Sequence, residues 1–193
     1  MSSDKNIRMI VGLGNPGNEY EKTRHNAGFW FIDRLISQYN LTLKSEAKFL
    51  GDIAKFNSPF GNVWLLKPTT FMNRSGQSIA RLAHFYKINP EQILLVHDEL
   101  DLPPGSVKLK QSGGHGGHNG LRDMIAQLGK NFYRLRLGIG HPGSKEQVVG
   151  FVLGKTPKSE QLLIDSAIDK AIDSIELIVQ GDMQKAMNQL HSK

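Results

Sequence analysis

The stretch Ile7-Arg-Met-Ile-Val-Gly-Leu13, followed directly by Gly14-Asn-Pro-Gly17, predicts a short buried strand that runs into a tight turn. A nearly continuous apolar run is typical of a strand covered on both faces, so we expect it to lie near the centre of a sheet. Working outward, strands are predicted at residues 50–56, 62–66, 93–96, 107–110 and 133–139, the first two of these joined as a hairpin.

Helical spacing of apolar residues separates these strands and also dominates the end of the chain. It predicts helices at residues 26–39, 76–86, 120–128, 145–153, 159–179 and 183–190. Strands interleaved with helices indicate the α/β class. We therefore predict a single domain over residues 1–193, an α/β/α sandwich around a mixed, mostly parallel sheet, with a helical C-terminal segment from about residue 158.

The composition restricts the chemistry and the location of the protein. The 193 residues contain no cysteine, which excludes disulfides and thiolate nucleophiles, and the net charge of +6 favours an anionic partner. Residues 1–6 are polar and do not resemble a signal peptide, and no later apolar run has membrane length. We expect a cytoplasmic protein that does not associate with membranes.

Polar residues follow three of the predicted strands. Asn15 follows the first strand, Met72-Asn73 follows the strand at 62–66, and Asp98 follows the strand at 93–96. Ligands of parallel sheets bind beyond the carboxyl ends of the strands, so these residues should converge on one rim. His25 lies in the loop that leaves the same rim.

Two glycine-rich segments need separate interpretations. Residues 12–17 fit the dinucleotide pattern G-x-G-x-x-G, but no helix follows directly to receive a pyrophosphate, so an oxidoreductase is disfavoured. Residues 113–120 contain five glycines and two histidines, His115 and His118. This segment is interpreted as the wall of a substrate groove; a mobile loop and a metal site remain alternatives, although no HExxH motif, carboxylate pair or third histidine supports a metal.

Seven histidines compete for a catalytic role. His84 and His191 lie on helical or terminal segments, His141 lies in a turn, and His97 should point away from Asp98 by strand alternation. Apart from His115, which belongs to the glycine-rich segment discussed above, His25 and His118 remain. From position alone, His25 could serve either as a catalytic base or as a helix cap.

Basic and aromatic residues offer surfaces for an anionic, base-containing ligand. Lys108, Lys110, Arg134 and Arg136 recur at a spacing of two, so each pair shares a sheet face that is either solvated or binds phosphates. Tyr20 and Phe71 lie near the predicted rim, where an unpaired base could rest on them, although core packing is an equal alternative for Phe71.

In several of these segments, and in others that follow them along the chain, the sequence resembles the bacterial-type peptidyl-tRNA hydrolases. The resemblance rests on Val11–Gly17, the Thr-Arg-His-Asn core within residues 20–28, and residues 67–76, 97–105, 113–120, 134–143 and 149–153 in the same order. It implies hydrolysis of the ester between a peptide and tRNA by a monomer that needs no cofactor, metal or obligate protein partner.

The resemblance also assigns roles to individual residues. It implies that His25 is the catalytic base and Asp98 its partner, and that Asn15 distinguishes an N-blocked aminoacyl group from a free one. Further substrate contacts are implied at Tyr20, Phe71, Met72, Asn73, His118 and Asn119. A clamp on the tRNA 5′-phosphate is implied at Lys110 and Arg136, and we add Lys108 to it. A noncatalytic RNA-binding module remains the alternative function.

Overall fold

A computed structural model of the chain describes residues 5–191. Residues 1–4, which belong to the segment predicted to be polar and unlike a signal peptide, lie outside the described residues. Within the described range, every helix is too short or too polar to cross a membrane.

Seven strands and seven α-helices follow one another along the described part of the chain. The strands are β1 (Met9–Gly12), β2 (Lys44–Glu46), β3 (Gly51–Ser58), β4 (Gly61–Pro68), β5 (Ile93–Glu99), β6 (Val107–Gln111) and β7 (Tyr133–Gly138). The helices are α1 (Ala27–Gln38), α2 (Ser75–Phe85), α3 (Asn119–Leu128), α4 (Val148–Val152), α5 (Lys158–Asp173), α6 (Ile175–Gln180) and α7 (Met183–His191).

The strands form one mixed sheet in the order β2-β3-β4-β1-β5-β7-β6. Strands β4, β1, β5 and β7 run parallel, whereas the outer pairs are antiparallel. The predicted α/β/α sandwich with a mixed sheet is therefore confirmed, as are the central position of β1 and the β3–β4 hairpin. Parallel pairing is confined to the four inner strands.

Successive side chains of the inner strands point to opposite faces of the sheet and pack into two separate hydrophobic cores. Ile10 of β1 and Val96 of β5 face α1, α5, α6 and α7, and their neighbours Val11 and Leu95 face α2 and α3. Both faces of the inner strands are thus apolar and covered, which is why their sequences are continuous apolar runs. The carboxyl ends of these strands open onto one rim.

Three elements differ from the sequence prediction. Strand β2 was not predicted, β5 continues through His97 and Asp98 to Glu99, and the helix predicted at residues 159–179 is divided into α5 and α6 at Ser174. In addition, the helix predicted at 145–153 begins with a 3₁₀ turn before the five residues of α4.

Candidate active site

Asp98, near the end of β5, is the centre of a buried cluster on the rim. Asp98 is 4 % exposed, and each oxygen of its carboxyl group has a histidine partner. His25 Nδ1 lies 2.9 Å from Asp98 Oδ2, and His118 Nε2 lies 2.8 Å from Asp98 Oδ1. The structure therefore brings together His25 and Asp98, which are 73 residues apart in the chain.

The segment that carries His25 is short and firmly attached. Residues 24–26 form a 3₁₀ turn that leads into α1, and the residues before it form a bridge to another segment, with Thr23 paired to Lys155. Arg24 donates from its guanidinium to the carbonyl of Phe151 at 3.0 Å. His25 is 9 % exposed. The imidazole is therefore held in place by both α1 and the α4 region.

The hydrogen bonds of His118 determine its tautomer. Its Nδ1 accepts from the backbone N–H groups of Gly120 and Leu121, at 3.1 and 3.3 Å, and so caps α3. Because Nδ1 accepts, Nε2 carries the proton and donates it to Asp98. His118 is therefore the N-cap of this helix.

Charge and burial set the protonation of Asp98 and His25. Burial raises the pKa of the Asp98 carboxyl, but the charges of His25 and His118 and their hydrogen bonds together lower it by more than burial raises it. The pKa therefore lies below its ordinary value, and the group is a carboxylate at neutral pH. Burial lowers the pKa of His25, but the charge and hydrogen bond of Asp98 outweigh that effect and leave the pKa above its ordinary value of 6.5. His25 can thus exchange a proton near neutral pH.

His97, whose side chain strand alternation predicts to point away from that of Asp98, borders the site through His118. Its ring centroid lies 5.3 Å from that of His118, and its Nδ1 donates to the backbone oxygen of Asp98 at 2.8 Å. Burial, with a smaller contribution from His118, lowers the pKa of His97 to about 3. It therefore remains a neutral packing partner of His118.

His25, Asp98 and His118 could in principle hold a metal, since their ligand atoms all lie within 4.8 Å of one another. This set was not apparent from the sequence, because a metal site was expected only where a third ligand lies near His115 and His118 in the chain. In this arrangement His118 Nε2 carries a proton and has no lone pair for an ion. The geometry therefore favours a hydrogen-bonded relay.

Asn15 is fixed by a residue that the sequence analysis missed. The side chain of Asn26 pairs with the Asn15 backbone, accepting from its N–H at 2.8 Å and donating to its carbonyl at 3.0 Å. Asn15 Oδ1 then accepts from the Met72 N–H at 2.7 Å. The Thr-Arg-His-Asn core contains Asn26, and its place on the rim beside His25 was the one available signal.

The remaining predicted residues lie around this centre. Tyr20 and Phe71 contact each other edge to face with centroids 6.4 Å apart, and Phe71 is 58 % exposed, so core packing does not explain it. Asn73 and Asn119 are exposed, and Met72 is buried beneath Asn15. No hydrogen bond among the described residues ties Asn73 to the His25 cluster.

The basic residues divide into two kinds. Lys108 and Arg136 are cross-strand partners, as are Lys110 and Arg134, so all four share one face of the β6–β7 edge. Lys108 is exposed, Lys110 is half-buried, and Arg136 pairs with Glu99 at 2.9 Å. Arg134 is wholly buried and donates to the carbonyls of Gly113 and Gly114. It is therefore no phosphate ligand in this arrangement.

A family profile described as Peptidyl-tRNA hydrolase matches residues 9–193. The chain belongs to the peptidyl-tRNA hydrolase family. The prediction of a peptidyl-tRNA hydrolase, and with it of an ester hydrolase acting on peptidyl-tRNA, is confirmed.

Two peptidyl-tRNA hydrolases illustrate how extensive the similarity is. The chain is 58 % identical to the one from Acinetobacter baumannii (strain AYE) over 97 % of both chains, and 59 % identical to the one from Pectobacterium atrosepticum over 96 % of both. The crystal structure of the Acinetobacter baumannii peptidyl-tRNA hydrolase superposes with a TM-score of 0.96, covering 100 % of this chain and 98 % of that one at 56 % identity. The similarity to this peptidyl-tRNA hydrolase thus extends over the whole fold, including the rim that carries His25 and Asp98.

Proposed function

We propose that His25 is the general base with which this hydrolase activates water against the ester of peptidyl-tRNA. The observation that carries the proposal is the hydrogen bond from His25 Nδ1 to the buried carboxylate of Asp98. It places the proton on Nδ1 and leaves the lone pair on Nε2, which has no partner among the described residues. A neutral imidazole oriented in this way can accept a proton from water.

The reaction then needs only one proton shuttle. Nε2 takes a proton from water, and the resulting hydroxide attacks the ester carbonyl carbon to give a tetrahedral oxyanion. The bond to the ribose oxygen breaks, and that oxygen receives the proton from the His25 imidazolium. Asp98 stabilises the imidazolium between these two transfers. The products are the free peptide acid and a tRNA with its terminal hydroxyl restored.

Asn73 and Asn119 are our candidates for donors to the oxyanion. Both side chains are exposed, Asn73 directly after Met72 and Asn119 directly after His118. A well-placed donor of this kind contributes roughly 3 kcal/mol to stabilisation of the transition state.

The amide of Asn15 explains a preference for N-blocked substrates. Because its Oδ1 accepts from the Met72 N–H, the outward group is Nδ2, which is a donor only. A peptidyl group offers a carbonyl oxygen to this donor. A free aminoacyl group offers an ammonium, whose protons would face the protons of Nδ2. We therefore assign Asn15 the selection of the peptidyl over the aminoacyl ester.

We assign the tRNA end to the surfaces on either side of the cluster. The exposed ring of Phe71, with Tyr20 beside it, suits stacking of the terminal adenosine, and the buried Met72 contributes through its N–H, which donates to Asn15. Lys108, Lys110 and Arg136 form the phosphate clamp, the basic group on the β6–β7 edge that would bind the 5′-phosphate. His118, with both ring nitrogens occupied, acts through Asp98 as a positioning residue.

We propose that the hydrolase works as a monomer in the cytoplasm, without a metal or an obligate protein partner. Support comes from the substrate, which is made on ribosomes, and from a rim that supplies base and orienting carboxylate from one chain.

One assay separates the proposed hydrolase from a noncatalytic RNA-binding module and from a nicotinamide oxidoreductase. The purified protein is incubated with N-acetyl-aminoacyl-tRNA and, as control, with the same tRNA carrying a free aminoacyl group. We expect multiple turnovers on the first substrate, far slower release on the second, and unchanged rates in EDTA. Binding without release would support the module, and loss of activity in EDTA would contradict the metal-free mechanism.

A further inference from the structure

Arg134 is a buried cation for which the proposed mechanism has no use. It is 1 % exposed, its guanidinium carbon lies 4.5 Å from the centre of the Phe132 ring, and it forms no ion pair with a carboxylate in the part of the chain that the structure describes. A buried guanidinium without a counter-ion is costly. Its hydrogen bonds are to the carbonyl oxygens of Gly113 and Gly114.

These two carbonyls begin the glycine loop, residues 113–117, which leads to His118. After the carbonyls held by Arg134, the loop passes Gly116 and Gly117, which have positive φ angles of 57° and 84° and no atom near the position of a Cβ. The hydrogen bonds in the middle of the loop are local to it: the Gly117 N–H donates to His115 Nδ1 and the His118 N–H to the His115 carbonyl. The position of the glycine loop is therefore determined at its two ends. Arg134 holds the first end, and the hydrogen bonds of His118 to Asp98 and to α3 hold the other.

Arg134 also adjoins the phosphate clamp. Lys110 is its cross-strand partner, and Lys110 Nζ lies 2.9 Å from the point where a Cβ on Gly113 would stand. Arg136 follows two residues later on the same face, and its charge contributes to lowering the pKa of Arg134 after burial, the main cause. A phosphate bound by Lys110 and Arg136 would neutralise this like-charge group and hold Lys110 against the loop.

We propose that Arg134 is a positioning residue that links occupation of the phosphate clamp to the His118–Asp98–His25 cluster. By holding the start of the glycine loop, it lets a bound 5′-phosphate favour the position of His118 that orients Asp98. The 5′-phosphate should then raise turnover as well as affinity. This inference rests on the proposed function, because it needs both the clamp and the base.

The test measures kcat and KM on N-acetyl-aminoacyl-tRNA bearing a 5′-phosphate and on the same RNA with a 5′-hydroxyl. In the wild type, the phosphate should lower KM and raise kcat several-fold. Arg134→Lys keeps the positive charge but cannot donate to both the Gly113 and Gly114 carbonyls in the way that the planar guanidinium does. In this variant the KM response should remain, and kcat on the phosphorylated substrate should fall to that on the hydroxyl form. Arg136→Gln is the matched control and should lose the KM response.

The outcomes separate the inference from the function on which it rests. A wild type that responds in KM alone overturns the inference and leaves the clamp intact, whereas no response in either constant overturns both. An equal loss of kcat on both substrates in Arg134→Lys assigns the residue a purely structural role and also overturns it.

A second measurement does not depend on folding of the variant. The backbone N–H groups of Gly120 and Leu121 donate hydrogen bonds to His118. Their hydrogen exchange in the wild type should be slower when the bound acceptor-stem RNA carries the 5′-phosphate than when it carries a 5′-hydroxyl. Equal exchange with the phosphate and hydroxyl forms contradicts the proposal.

Discussion

The carboxylate of Asp98 determines the chemistry of both histidines that contact it. His118 cannot accept a proton from water, because its Nδ1 is engaged by the α3 backbone and its Nε2 proton faces Asp98. His25 bonds to Asp98 through Nδ1, and its Nε2 has no hydrogen-bond partner among the described residues. The asymmetry comes from the helix cap, which occupies the second ring nitrogen of His118 but not that of His25, although the two ring centroids are only 4.9 Å apart.

Asp98→Asn should change the pH dependence as well as the rate. In the wild type, kcat/KM should rise with pH through a pKa above 6.5, because the base must be neutral and Asp98 raises the pKa of His25. With asparagine the burial of His25 remains and the raising charge is lost. The inflection should therefore move below 6.5, and the plateau should fall by about 10²- to 10⁴-fold. A pH–rate profile of both proteins checks this; an unmoved inflection would contradict the pairing.

Single residues were predictable where a motif or a strand end marked them. Asp98 and Asn15 carried both signals, whereas His25 carried the motif and lay in the loop that leaves the same rim. The structure brings all three to one rim. The two bonds of Asn26 to the Asn15 backbone and the cap of His118 on α3 were not predictable, because they depend on how loops from separate strands meet. Arg134 was grouped with three exposed or half-buried cations, since spacing shows a shared face but not its depth.

Close contact between α1 and the central strands places His25. A Cβ on Gly28 would lie 2.4 Å from both Leu13 N and Val96 O, and one on Gly12 would lie 2.2 Å from Gly28 O. The start of α1 therefore packs directly on the backbone of β1 and β5. His25, three residues earlier, is carried over the end of β5 to Asp98.

Gly28→Ala should therefore unfold more easily and lose activity. The methyl group has no space between two backbones, so the free energy of unfolding should fall by about 1–3 kcal/mol or more, and kcat should fall with the displacement of His25. Gly150→Ala is the matched control, because no atom lies within 4 Å of its Cβ position in α4. It should be neutral or slightly stabilising. Denaturant titrations and kcat of both variants test this; equal stability of the two would refute the close-packing argument.

Apolar periodicity predicted the elements whose apolar faces are buried and missed those formed by other forces. Strand β2, the segment Lys44-Ser-Glu46, is polar and exists through its pairing with β3 at the sheet edge. The polar end of β5 continues because β7 pairs with it as far as Glu99. Ser174, buried and bonded to Gln189 at 2.6 Å, separates α5 from α6 although the apolar pattern runs through it.

At the scale of the whole molecule, the residues with proposed functions lie along one rim and one edge of the sheet. The rim carries the proposed base His25, the proposed selecting amide of Asn15 and the exposed ring of Phe71, and the edge strand β6 carries lysines of the proposed phosphate clamp. The opposite edge, β2, carries the exposed Lys44. We therefore expect the basic residues next to the rim to contribute most of what the net charge of +6 adds to tRNA binding.

Lys108→Ala should weaken tRNA binding and reduce its salt dependence. A lysine that contacts phosphate contributes through counter-ion release, so the slope of log Kd against log salt should fall by roughly one. Lys44→Ala removes the same charge from the opposite edge and should leave the slope unchanged. Titrations from low to physiological salt distinguish the two. Equal slopes in both variants would argue against the clamp on β6.

The most direct measurement of the base assignment is single-turnover hydrolysis of N-acetyl-aminoacyl-tRNA by His25→Ala, with the Kd for tRNA determined in parallel. The chemical step should slow by at least about 10²-fold, the contribution expected of a positioned general base. The Kd should stay within a few-fold of the wild type, because the proposed tRNA contacts lie on other residues. A near-normal rate in His25→Ala, with tRNA bound as tightly as before, would contradict the account.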